Sequence, residues 1–178
     1  ALALNAGDTA AAVAALERAT RLAPNDSAKL KTYVQALIRQ AREAGGSAND
    51  SIYAKAAEAG RNLAARDGSY DNLLLLGEVQ LGAKQYEAAV ATFGQASAKN
   101  ASDWLPGFYA GQAQTAVQKY TEAEASLKRA LEKASRSEDK ARIYRQLGFV
   151  YEKQKNLAAA KGAYQSAGDG SAVDEAAA

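Results

Sequence analysis

Residues 70–103 read YDNLLLLGEVQLGAKQYEAAVATFGQASAKNASD. Two small-and-apolar faces lie in this stretch, with a short break between them. Leu73, Leu76, Gly77 and Gln80 share one face of a first helix. Ala89, Phe93 and Ala96 share one face of a second, at the i, i+4, i+7 spacing that a helical period of about 3.6 residues brings into line. Gly82 and Ala83 are expected at the break, with Tyr86 just inside the second helix. The pattern recurs 34 residues on as Gly111, Tyr120, Ala123, Leu127 and Ala130. After a further 37 it recurs as Gly148, Leu157, Ala160, Tyr164 and Ala167. Size classes that return at a fixed period predict a helical solenoid, in which each pair buries its face against the next.

These residues resemble the tetratricopeptide repeat. That family carries a large residue, Leu-Gly and Tyr in its first helix and a small-large-small series in its second. Leu76-Gly77 and Leu147-Gly148 match the Leu-Gly pair, and Ala110-Gly111 keeps the glycine. Tyr144 and Tyr151 match both first-helix aromatics of the last copy. Gln80 and Gln114 stand where the second aromatic is usual, and Gly107 where the first is usual. The likeness covers residues 70–167, more than half of the chain. It implies an all-α chain, a right-handed α-α superhelix of the TPR-like solenoid kind. It also implies a non-enzymatic protein–protein interaction scaffold that holds a peptide or protein segment in its concave groove.

Composition narrows the chemistry. Lysine and arginine (22) nearly balance aspartate and glutamate (20), and a net charge of +2 supplies no broad basic field for nucleic acid. There is no cysteine, hence no disulfide framework and no thiolate ligand. There is no histidine, the commonest general base and zinc ligand. Neither Gly-x-x-x-x-Gly-Lys nor Gly-x-Gly-x-x-Gly occurs, and no aspartate-rich loop has calcium spacing. No catalytic residue, metal or cofactor is therefore expected. No apolar run approaches the ~20 residues that cross a bilayer, so no membrane insertion of this segment is expected. The chain starts at Ala1 and contains no methionine, which reads as a fragment or processed chain, so a signal sequence elsewhere is not ruled on. Cytoplasm and periplasm both fit.

Outside the central repeats the organisation is less regular. Residues 5–8 read as a turn, and residues 9–22 as a second helix with Ala12, Leu16 and Ala19, stopped at Pro24. Residues 1–26 thus form the second half of a truncated repeat, with residues 1–4 the end of its first helix. Residues 27–44 carry Leu30, Tyr33, Val34, Leu37, Ile38 and Ala41 on one face. Gly45-Gly46 ends that helix, Ser47 and Asp50 offer a capping box, and a helix follows to about residue 66 with Ile52, Ala56, Gly60 and Leu63 inward. Residues 27–69 form a divergent pair. Then come repeats at 70–103, 104–137 and 138–168 and a tail at 169–178, all in one continuous solenoid. Asp103 is a candidate N-cap, and Ser135 with Glu138 a second capping box. Glu122, Glu124 and Lys128 read as solvated helix surface.

In a stack of helix pairs the first helices line the concave side. By register that groove is lined by Asp71, Leu74, Glu78 and Leu81, then Leu105, Phe108, Tyr109, Gln112 and Thr115, then Arg142, Arg145, Phe149, Glu152 and Lys153. Leu74, Leu81, Phe108 and Phe149 are apolar where a polar surface is the norm. Two explanations stand: packing against a longer neighbouring helix, or an apolar stripe for a bound peptide. Arg142 and Arg145, one turn apart, are either a carboxylate receptor or ordinary surface charge near Asp139. Asp71 and Glu78 at the other end give the groove an acid-to-base gradient. Some family members clamp a C-terminal carboxylate with Lys and Asn in one first helix, Asn in the next and Lys or Arg in the third. Here Leu74, Glu78 and Tyr109 replace the first three and Arg142 alone remains, so no chaperone-tail clamp is expected. The expected partner is a protein or peptide rather than nucleic acid. Two alternatives remain open. One is self-assembly into a homo-oligomer through the apolar end near Ala1; the other, disfavoured by the mixed charge of the groove, is a helical-repeat RNA binder.

Overall fold

The structure, a computed structural model, describes residues 6–44 and 46–168. Among the described residues there are nine helices and no strands. They are α1 (Ala6–Leu22), α2 (Ser27–Ala44), α3 (Gly46–Arg66), α4 (Tyr70–Gly82), α5 (Tyr86–Lys99), α6 (Leu105–Ala116), α7 (Tyr120–Lys133), α8 (Ser137–Lys153) and α9 (Leu157–Ala167). The chain divides into two compact units, one ending at Thr92 and the other starting at Phe93, within α5. The helix end expected at residues 1–4, the self-assembling end at Ala1 and the tail at 169–178 lie outside the described residues.

In the first unit α2 packs against both α1 and α3, and α3 against α4. The six apolar residues of α2, Leu30 to Ala41, are all buried, with Val34 at 0% and Leu37 at 1% exposure. Side chains that fully buried contribute about 1.5–3 kcal/mol each. Asp26 starts the helix: its carboxylate accepts from the Lys29 N–H at 3.0 Å and its carbonyl from the Leu30 N–H at 3.1 Å. On α3, Ala56, Gly60 and Leu63 point inward, while Ile52 is only half-buried. A Cβ on Gly60 would stand 3.2 Å from Leu76 and Val79, so this glycine lets α3 and α4 approach closely.

Three local readings change. Residues 6–8, expected in a turn, are the first residues of α1, where Asp8 sits in the favourable field of the helix N-terminus. The capping box expected from Ser47 falls inside a helix, because α3 already begins at Gly46; the Ser47 side chain itself lies outside what the structure describes. The break expected at Gly82 and Ala83 comes later. Gly82 is the last residue of α4, and the ring of Tyr53 on α3 lies 2.5 Å from where its Cβ would be. The reversal happens at Lys84, whose φ is 59°. There the Gln85 N–H donates to the Gln80 carbonyl at 2.8 Å and the Lys84 N–H to that of Leu81 at 3.0 Å, the pair of bonds that closes a helix through a left-handed residue. Gln118 (φ 61°) and Lys155 (φ 60°) do the same after α6 and α8. Their following N–H groups, of Lys119 and Asn156, each donate at 2.9 Å to the carbonyls of Gln114 and Tyr151. The backbone of the turn thus returns at the spacing of the side-chain pattern.

The second unit contains the pairs α6–α7 and α8–α9, with α7 packed on α8. Phe108, Leu127, Ile143, Leu147 and Val150 form its core. A Cβ on Gly111 would meet Leu127 at 2.6 Å, and one on Gly148 would meet the Tyr164 ring at 2.5 Å. Both glycines therefore mark contacts between the two helices of a pair. Gln114, where an aromatic is usual, is held by polar bonds instead. With its amide nitrogen turned to the acceptors it donates to Ser126 Oγ at 2.8 Å, to the Glu122 carbonyl at 3.1 Å and to that of Ala110 at 3.2 Å. The Asp103 carboxylate accepts from the Leu105 N–H at 2.9 Å, although Trp104 holds the cap position itself. Ser135 and Glu138 form no capping box: the cap is Arg136, which pairs with Glu138. Asn156 caps α9 through the Ala159 N–H at 3.2 Å, and Gly168, at φ 80°, ends it.

Glu124 is more than solvated surface. Besides Lys128 at 2.7 Å it accepts from Tyr151 Oη at 3.3 Å and Gln154 Nε2 at 3.2 Å, which ties α7 to the end of α8. Lys128 first, then Gln154, holds its carboxyl below the usual range against the opposing effect of burial.

Candidate functional site

Two clefts open in the first unit. One, of about 460 Å³, runs between α2 and α4. Its α2 wall is Gln35, Ile38, Arg39, Arg42 and Glu43, and its α4 wall is Leu75 and Glu78. Helical spacing produces this wall. With Val34, Leu37 and Ala41 turned inward, residues 35, 39 and 42 fall on the opposite side, and Ile38 sits at the margin with 6% exposure. The floor is apolar and the rim charged. Arg42 and Glu78 form an ion pair across it, and the Glu43 carboxylate accepts from Thr9 Oγ1 at 3.3 Å. Arg39 is exposed and forms no ion pair among the described residues. Exposed pairs such as Arg42–Glu78 hold little energy, so a ligand can open this one at small cost.

The other cleft, of about 410 Å³, lies among α1, α2 and α3. Glu17 stands at its edge between Arg21 and Lys55, each 2.9 Å away. Lys55 and then Arg21 hold the Glu17 carboxyl below the usual range, and Glu17 raises Lys55 in return. The Tyr33 hydroxyl lies buried at the floor, and burial pushes its pKa up against the opposing effect of nearby Lys55.

The groove residues expected on α4 divide between these surroundings. Glu78 lines the α2–α4 cleft. Asp71 is exposed and reaches Lys31 at 3.8 Å, which puts a cation beside each expected acid. Leu74 and Leu81 are half-buried and do not line the cleft; Leu75 does.

On α6 and α8 the second unit carries an aromatic and cationic face. Phe108 is 4% exposed and belongs to the core rather than to an open surface. Thr115 is buried too, donating to the Gly111 carbonyl at 2.7 Å. Leu105, Tyr109 and Gln112 are half-buried, and Tyr109 stacks on Phe93 with ring centres 5.4 Å apart. The Arg142 guanidinium lies 5.3 Å from the Trp104 ring centre and 5.2 Å from that of Phe108. Further along α8, Arg145 is exposed, and Lys153 Nζ stands 4.9 Å above the ring of Phe149, which is 40% exposed.

Sequence reasoning misses Trp104 as a site residue and misses the Gln35, Arg39, Arg42 row. The row is legible as the complement of the buried stripe on α2. It is easily passed over because residues 27–69 lack the Leu-Gly pair that marks a repeat. Among the described residues, no three His, Cys, Asp or Glu side chains gather as metal ligands, and no helix is long and apolar enough to cross a membrane.

A family model described as tetratricopeptide repeat matches residues 2–26, the stretch read above as half of a repeat. No curated protein matches the chain. Solved structures share its fold. MamA from Desulfovibrio magneticus RS-1, from residue 41 to its end, is 18% identical with a TM-score of 0.74, over 95% of this chain and 87% of that one. YrrB, described as a TPR protein with an unusual peptide-binding site, is 16% identical with a TM-score of 0.73, over 96% and 84%. TTC0263, a thermophilic TPR protein of Thermus thermophilus, is 22% identical with a TM-score of 0.65, over 95% and 86%. The family model's match to residues 2–26 and the likeness to these solved structures together show that the chain has the fold of the tetratricopeptide-repeat solenoids.

Proposed function

We propose that the chain is a non-enzymatic interaction scaffold that binds a protein segment on the exposed faces of its first helices. Repeats of this family generally serve as scaffolds rather than enzymes. The observation that carries the reading is the α2–α4 cleft, where Ile38 and Leu75 form an apolar floor under a rim of Gln35, Arg39, Arg42 and Glu78. An apolar floor supplies affinity, and a polar rim sets register and direction. A fold neighbour, YrrB, is itself described by a peptide-binding site.

The test is a quantitative capture of proteins by the whole chain from lysate of its source, against an Arg39→Glu/Leu75→Ala variant whose helical content is checked first. The expected result is the selective loss of particular proteins with the variant. An unchanged set sinks the reading.

A further inference from the structure

We infer that the cleft among α1, α2 and α3 binds a small organic monoanion, its charged head hydrogen-bonded by the Tyr33 hydroxyl and Lys55 and its apolar body laid against Leu30, Pro24 and Ala59. The site is separate from the α2–α4 cleft: α2 gives Gln35, Arg39 and Arg42 to that one, and Leu30 and Tyr33 to this one. At about 410 Å³ the space falls within the range of small-ligand pockets, about 300–1,000 Å³. Lys55 of α3 reaches across to Glu17 of α1 at 2.9 Å, so one wall is tied to the other.

Tyr33 carries the inference. It is 5% exposed, and its hydroxyl, enclosed at the floor of the cleft, has no hydrogen-bond partner among the described residues. A buried hydroxyl left unpaired is costly, and folded chains rarely keep one without use. Burial favours the protonated phenol, so the group has an O–H to donate. The acid whose charge reaches it, Glu17, is already taken by Lys55 and Arg21, each at 2.9 Å. Lys55 and Arg21 keep N–H groups to spare, since an ammonium has three and a guanidinium five. The other acid of the cleft, Glu58, is exposed, away from the enclosed hydroxyl. The floor is therefore rich in donors and short of an acceptor. Charge decides what kind of acceptor fits. Three cations, Arg21, Lys55 and Arg66, stand against two acids, Glu17 and Glu58, an excess of one positive charge. One negative charge balances the cleft, and a second would be held beside Glu17 and Glu58 without compensation. A single anionic head with several acceptor oxygens meets both needs, as a sulfonate does.

The experiment titrates the whole chain with benzenesulfonate, with its neutral twin benzenesulfonamide, with the cation benzyltrimethylammonium, and with sulfate as an anion that has no apolar body. Backbone amide NMR shifts locate each probe and give its affinity. Benzenesulfonate is expected to shift the amides around Tyr33, Lys55 and Ala59 and to bind at least tenfold tighter than the other three. Lys55→Gln is expected to remove the advantage over the sulfonamide. Tyr33→Phe is expected to weaken benzenesulfonate by about threefold or more while raising the urea midpoint or leaving it unchanged, because phenylalanine fills the same ring space without the unpaired hydroxyl. A ring that serves packing alone would leave the affinity unmoved. Amide spectra verify the fold of both variants. Equal affinity for benzenesulfonate and its neutral twin overturns the inference, as does sulfate binding as tightly as benzenesulfonate, or the absence of any shift at millimolar concentration. A Tyr33→Phe chain that binds like the parent, or that unfolds at lower urea, overturns it as well. Shifts confined to α2 and α4 overturn it while leaving the protein-segment reading standing.

Discussion

Gly148 on α8 and Gly162 on α9 should respond in different ways to the same added methyl group. Replacing a helical glycine by alanine gains about 1 kcal/mol from backbone propensity when the new atom has room. Gly162 has room: nothing lies within 4 Å of a Cβ built there. Gly148 does not. Its Cβ would stand 2.5, 2.7 and 2.7 Å from Cε1, Cδ1 and Cζ of Tyr164. Ordinary contact needs 3.4 Å or more, so the ring must retreat by nearly an ångström. Tyr164 is 8% exposed and packed in the α8–α9 contact, and overpacking of that kind costs about 1–3 kcal/mol. Gly162→Ala should therefore stabilise by about 1 kcal/mol. Gly148→Ala should range from neutral to about 2 kcal/mol destabilising once its propensity gain is subtracted from the overpacking cost. Urea unfolding followed by far-UV circular dichroism measures both, with the variants compared at equal m-value. If Gly148→Ala stabilises the chain as much as Gly162→Ala, the close approach of the two helices is wrong.

Phe93, 1% exposed and stacked on Tyr109, should cost about 3–5 kcal/mol on replacement by alanine in the same unfolding assay. Lys155→Gly should stabilise by about 0.5–1 kcal/mol, because relief of the left-handed strain at φ 60° exceeds the entropy that glycine adds to the unfolded chain. Glu17 has its pKa lowered below the ordinary 4.5 by Lys55 and Arg21. Below 4.5 the unfolded chain takes up this proton before the folded one, so the stability Glu17 supplies is present above that pH and is lost as pH falls through the folded pKa. The difference between the parent and Glu17→Gln, measured by urea unfolding across acid pH, should accordingly shrink toward zero as pH drops; a difference that grows on acidification contradicts the ion-pair assignment.

Helix existence and the inward stripes are readable without coordinates. Leu30 to Ala41 on α2, and Ala89, Phe93 and Ala96 on α5, follow from period and size class, which are local properties of the chain. The repeat spacing of 34 and then 37 residues is likewise a fact of the amino-acid order. What covers a given face is not local. Gly82 reads as a turn residue until the ring of Tyr53 is seen to fill the space its side chain would need, while the left-handed residue proves to be Lys84. Phe108 reads as groove until Arg142 and Trp104 are seen against it, and Glu124 reads as solvent-facing until Tyr151 and Gln154 reach it. The amino-acid order by itself therefore determined the helices, their period and their buried stripes, because hydrophobic spacing acts within one element. Only the tertiary structure decided which polar and aromatic groups meet, because those contacts join residues that no period relates.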